Sequence, residues 1–168
     1  MPFYRMPTSN EMDVISIYLN DLRRIFAVWS SKYEDEYDLL WFAYYEGCQE
    51  QIMADAAPYV VGNSLVKSFG FHWVMVQSDS TWHHGVSNSI LPEPIDLLTL
   101  EDGDWYRPEP NDEPPEPGEA TLDSRDVIIL VVKWKQIKGC QAPIPKGSYS
   151  QLEEQVAHAQ IFGNPEAI

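Results

Sequence analysis

Apolar side chains recur at helical spacing from early in the chain. Ile15, Tyr18, Leu19, Leu22, Ile25, Phe26 and Trp29 fall on one face of a helical repeat. Ahead of them, Thr8-Ser9-Asn10-Glu11 carries a hydroxyl and, three residues on, a glutamate, the pattern of a capping box. The spacing predicts a helix from Ser9 to Trp29. Ser31-Lys32-Tyr33-Glu34 repeats the capping pattern. Glu34, Asp35, Glu36 and Asp38 follow, where a helix dipole favours anions. Tyr33, Tyr37, Leu40, Trp41, Tyr44, Cys48 and Ile52 continue as an apolar stripe, so a second helix is expected to run to Asp55. The short link at Ser30-Ser31 makes the two an antiparallel helical hairpin. Pro58 suits the first turn of a third helix, with Val61, Leu65 and Phe69 on one face and Gly70 as its stop. Gly62 and Ser64 are small enough to let that helix pack closely on a neighbour.

The period then changes from helical to alternating. Phe71 to Gln77 is aromatic and β-branched, as strands prefer, and Ser78-Asp79-Ser80 has turn chemistry. With Asp79 and Ser80 at the tip, Gln77 faces Trp82, Met75 faces His84 and Trp73 faces Val86. Those residues share one face of the sheet, and His72, Val74, Val76, His83 and Ser87 share the other. A hairpin alone is marginal in water, so the preceding helices are expected to cover it. Trp73 is expected in the core. Ile95 to Leu100, after the Leu91-Pro92-Glu93-Pro94 corner, fits a helical turn or an alternating strand. Thr121 to Lys138 also fits both: its length and the Lys-Gly end favour a helix, while its β-branched density favours a strand. Ser148 or Ser150 can cap a last helix through Ala159. The fold class that results is α+β, an N-terminal helical hairpin and third helix packed on a small antiparallel sheet, in a single domain over residues 1–168.

Charge changes the picture of what such a domain can meet. The chain carries 26 acidic against 11 basic residues, a formal net charge of −15. Phosphates and anionic lipid would be repelled, which argues against nucleic-acid and membrane-surface partners and leaves a basic protein as the favoured one. Glu101 to Ala120 is acidic and proline-rich, with an extended, solvated character expected of it. Within it Trp105, Tyr106, Glu109, Asp112, Glu113 and Glu116 are the candidate partner-binding residues. The indole and phenol would supply an apolar anchor beside the carboxylates. Exposed aromatics and sheet edges leave room for a homodimer.

The chemistry-bearing residues point away from catalysis. Cys48 and Cys140 are the only cysteines. They make no disulfide scaffold, and the opening MPFYRMPTSN has no apolar leader, so a cytoplasmic protein is expected. Val127 to Val132 is the longest aliphatic run and is too short to span a bilayer. His72 and His83 share a face of the hairpin but lie four positions apart, roughly 13 Å at about 3.3 Å per residue. One metal cannot bridge that distance, and no HExxH or paired CxxC occurs, so no metal and no cofactor are expected. Cys48 lies on an apolar stripe, and no GxSxG or glycine-rich phosphate loop is present. These residues give no catalytic set, and the balance is towards a non-catalytic binding protein. The alternative is a small-molecule-binding or enzymatic domain with a pocket near His72, Trp82 and His84.

The order of helices, a Gly-x-x-Leu segment at Gly62 to Leu65, Phe69-Gly70 and a Trp-bearing strand at Trp73 resembles small bacterial domains of unknown function. Some of these are similar to immunity proteins of bacterial toxin systems. The resemblance spans residues 33 to 100. It implies a small cytoplasmic α+β protein with no catalytic residues to carry over.

Overall fold

The structure, a computed structural model, describes residues 4–68, 70–88 and 94–97. The described residues have an α+β architecture, with helices packed on an antiparallel sheet. Helix α1 spans Ser9–Ile25 and is capped as its sequence predicts: Thr8 Oγ1 accepts from the Glu11 amide, and a Glu11 carboxylate oxygen accepts from the Thr8 amide. Ile15, Leu19 and Leu22 form its buried stripe. The helix stops short of Trp29. Phe26 leaves helical geometry (φ −104°, ψ 39°) and a short helix α2, Ala27–Ser30, follows. The Phe26 ring is buried and stacks at 5.7 Å on Trp29, which packs half-buried against the core.

Helix α3, Glu36–Tyr45, starts later and ends earlier than the apolar stripe suggests. Its cap is Asp35, whose carboxylate accepts from the amides of Tyr37 and Asp38, and not Ser31. It ends in a Schellman motif: Cys48 N donates to Ala43 O, Gly47 N donates to Tyr44 O, and Gly47 takes φ +77°. Helix α4 therefore begins afresh at Gln51 and runs to Ser68, with Pro58 inside it. The missing Pro58 amide would have bonded Ala54, which faces outward, where water can take its place. Residues 59–66 of α4 and 37–43 of α3 are buried on all sides. Two of the helices thus run through the interior.

The sheet has the order β1-β2-β3-β4, from Tyr4–Arg5, His72–Ser78, Thr81–Ser87 and Ile95–Asp96. The hairpin register is the one the sequence predicts, with Trp73 opposite Val86, Met75 opposite His84 and Gln77 opposite Trp82. Asp79 and Ser80 both take positive φ (49° and 67°), the mirror-image turn that suits a two-residue tip. Of the two readings for Ile95 onward, the strand applies at Ile95–Asp96, and residues 98–100 lie outside the described residues. Strand β1 has no counterpart in the periodicity. Trp73, Val86 and Ile95 make the deepest row of the helix-facing side. Arg5, Met75 and His84 make the next row, and Gln77 and Trp82 lie nearest the tip.

Gly62 sets how closely helix and sheet approach, and Gly85 sets a close approach within the sheet. A Cβ on Gly62 would run into the Trp73 ring and Leu97 Cδ1, so the bare backbone of α4 lies against the indole. A Cβ on Gly85 would sit 2.5 Å from the Ile95 carbonyl oxygen and 2.8 Å from Val76 Cγ2. The regions 121–138 and 148–159, and the segment from Glu101 to Ala120, lie outside the described residues.

Candidate functional site

One cluster of polar and aromatic side chains lies where the first turn of α1 meets β3. His84 is buried and its ring is held from two sides. The Glu11 carbonyl oxygen lies 2.8 Å from Nε2. A carbonyl only accepts, so Nε2 carries the proton, and Nδ1 faces the Tyr59 hydroxyl at 3.4 Å. Tyr59 and Trp73 meet the imidazole edge-on, at 5.1 and 6.3 Å between centroids. Tyr59 is itself stacked on Tyr18 at 4.7 Å, which ties α4 to α1. Burial, with a smaller push from Tyr18, moves the Tyr59 hydroxyl above its ordinary pKa, so it stays protonated. Both nitrogens of His84 are thus engaged in joining sheet to helices.

The same Glu11 turns its carboxylate the other way. Arg5 grips it in a two-pronged pair, Nη1 to Oε1 at 2.6 Å and Nη2 to Oε2 at 2.9 Å. The guanidinium carbon also lies 4.5 Å from the centre of the Trp82 ring, and Nη1 reaches the Met6 carbonyl at 3.2 Å. Hydrogen bonding from Arg5, then from the Thr8 amide, holds the Glu11 carboxyl down at about 2. The same pair raises the Arg5 pKa. Glu11 is therefore a carboxylate under all ordinary conditions.

Trp82 and His84 lie on the helix-facing side of the hairpin, two residues apart. His72, grouped with them on the sequence, does not join them: it pairs with Ser87 and points to the opposite side. The sheet itself separates these three side chains, because positions 72 and 75 of one strand have opposite parity. Trp105, Tyr106, Glu109, Asp112, Glu113 and Glu116 lie outside the described residues. No group of His, Cys, Asp or Glu among the described residues is placed to hold a metal. Cys48 is a free thiol whose pKa is raised by burial and by Glu46 and Glu50, which keeps it in the unreactive form.

Arg5 and Tyr59 were not visible as site residues. Glu11 was, but only as a cap. The one signal for Arg5 was its position just ahead of that cap. Comparison with protein-family models, with curated proteins and with solved structures found no match.

The electrostatics outside this cluster have a pattern too. Arg5, Arg23, Arg24 and Lys67 all pair with carboxylates, of Glu11, Glu36, Asp21 and again Glu36. Lys32 lies over the Tyr33 ring. Every cation of the described residues is thus answered within the fold. Asp13, Glu34, Glu46, Glu50 and Asp79 stand exposed, with no ion pair among the described residues. No helix among them is long and apolar enough to cross a membrane.

Proposed function

We propose that the protein is a non-catalytic acidic binding protein, immunity-like in role, whose partner is a basic protein. The observation that supports this reading best is the one-sided use of charge. Four of the five described cations pair with carboxylates of the fold and the fifth, Lys32, lies over the Tyr33 ring, while exposed carboxylates are left over, within a chain whose net charge is −15. Such a surface attracts a basic partner over a distance and speeds its encounter, and it discourages anionic partners. The engagement of both His84 nitrogens by the fold, and the pairing of Glu11, fit a protein that binds without transforming. On this reading the protein acts in the cytoplasm.

The test is purification from the native host at low salt. One basic protein should be recovered in stoichiometric amount and released as salt rises. Changing Asp13, Glu34, Glu46 and Glu50 to their amides should slow its association. Recovery of a tightly held small molecule in place of a protein, or a protein whose association ignores salt, would defeat the proposal.

A further inference from the structure

The surroundings of Arg5 have the chemistry that recognises an arginine. A carboxylate accepts both prongs of a guanidinium, and an indole face lies against the planar group at 4.5 Å. Two-pronged pairing and ring stacking are the features that favour arginine over lysine. Both walls are fixed by the fold. Glu11 is in the first turn of a capped helix, with its backbone carbonyl held by His84. Trp82 is in the β3 arm of a hairpin in fixed register.

The occupant is held far less firmly than the site. Among the described residues, β1 is Tyr4–Arg5 and pairs with Val76 and Met75. The residues beside Arg5 bury little: Tyr4 is 57% exposed and Met6 66%. The Arg5 side chain itself is 38% exposed, against 23% for Glu11. Among residues 4–6 the most enclosed side chain is that of Arg5, so exchanging it for another guanidinium uncovers little apolar surface from Tyr4 and Met6, which are already exposed.

We propose that Glu11 and Trp82 form an arginine-recognition site, occupied in cis by Arg5 and taken in trans by an arginine of the basic partner. This rests on the reading above for the partner's class, and gives that reading a specific contact. Arg5 acts as an internal competitor. It is tethered six residues from Glu11, so its effective concentration is on the order of millimolar, and it lowers the apparent affinity for any external guanidinium.

The probe is N-acetyl-arginine amide, followed by the Trp82 indole resonance in NMR spectra, with N-acetyl-lysine amide as the control. Arg5→Ala should bind the arginine probe saturably, at least about tenfold more tightly than the unaltered protein does. The lysine probe should bind more weakly, and binding should vanish in Arg5→Ala combined with Glu11→Gln or with Trp82→Ala. Absence of binding to folded Arg5→Ala, or binding that survives both second substitutions, overturns the proposal. If Arg5→Ala does not fold, the unaltered protein gives the answer: excess arginine probe should shift the Arg5 Nε–H resonance as that side chain is displaced, and no shift at saturation overturns it. The two readings fail separately. A basic partner whose association is the same with the unaltered protein, Arg5→Ala and Trp82→Ala removes this site and leaves the general reading. Probe binding with no basic partner in the host leaves the site and removes the general reading.

Discussion

Glu11 shows how much one residue can carry: its amide and carboxylate close the cap, its carbonyl holds His84, and its carboxylate holds Arg5. Its pH behaviour follows in sign. The folded value of about 2 lies below the ordinary 4.5, so the carboxylate is the favoured form in the fold. Its contribution to stability is full above about 4.5 and is lost as pH falls towards 2. Glu11→Gln should therefore flatten the pH dependence of stability in that window and leave its slope near neutrality unchanged, as acid denaturation can measure. Trp73 makes the packing counterpart. It is 3% exposed and lies against Gly62. Trp73→Ala should cost about 3–5 kcal/mol, as for other buried large aromatics. Gly62→Ala should destabilise although alanine favours a helix by about 1 kcal/mol, because the added methyl meets a rigid ring. In a Trp73→Phe background the cost of Gly62→Ala should shrink, which a double-mutant cycle from denaturant curves would show. At this scale the sequence was readable wherever a local constraint set geometry. The Asp79-Ser80 tip fixed the hairpin register, and with it the row that joins Met75 to His84. Arg5 and Tyr59 were not readable, since so short a strand has no period and Tyr59 belongs to the stretch of α4 that is buried on every side.

Helix boundaries show a different balance between pattern and chemistry. The apolar stripe of Tyr44, Cys48 and Ile52 keeps a helical phase across a gap that is not helical, because residues on both sides of the loop face the same core. The break is encoded by Gly47, which alone among those residues takes positive φ without steric penalty. Similarly, Ser31-x-x-Glu34 has the form of a capping box, but Asp35 supplies the carboxylate that the first amides of α3 use. Asp35→Ala should therefore cost about 1 kcal/mol, while Ser31→Ala should change stability by only a few tenths. Gly47→Ala should cost about 1 kcal/mol although a Cβ there meets nothing within 4 Å, since the cost lies in the backbone conformation. Thermal or denaturant unfolding of the three variants separates the two assignments of the cap and tests the Schellman end. In the sequence Pro58 has the form of a helix start signal, a role proline often has. Inside α4 it is tolerated because the carbonyl it deprives belongs to an outward-facing residue.

For the molecule as a whole, the α+β class was legible because the change of period from helix to hairpin is sharp, and the interior course of residues 37–43 and 59–66 was not, because helical stretches buried all round have no polar face to reveal them. Charge was legible throughout, and it carries the last expectation. The window from Glu101 to Asp126 contains ten carboxylates, at 101, 102, 104, 109, 112, 113, 116, 119, 123 and 126, against Arg107 and Arg125, and so holds a net −8 of the chain's −15. If the basic partner is steered by the whole field of the protein, that window supplies most of the attraction at long range, and the Glu11–Trp82 site supplies the contact at short range. The two contributions separate by salt. Exposed charges are screened beyond about 8 Å at physiological ionic strength, whereas a two-pronged pair is screened less. Changing Glu109, Asp112, Glu113 and Glu116 to their amides should lower the association rate of the partner at low salt and flatten its dependence on salt, with little change in dissociation. Trp82→Ala should do the reverse, raising dissociation with the salt slope intact. An association rate and a salt slope both unchanged by the four amides would remove this window from recognition and place the steering on Asp13, Glu34, Glu46 and Glu50 instead.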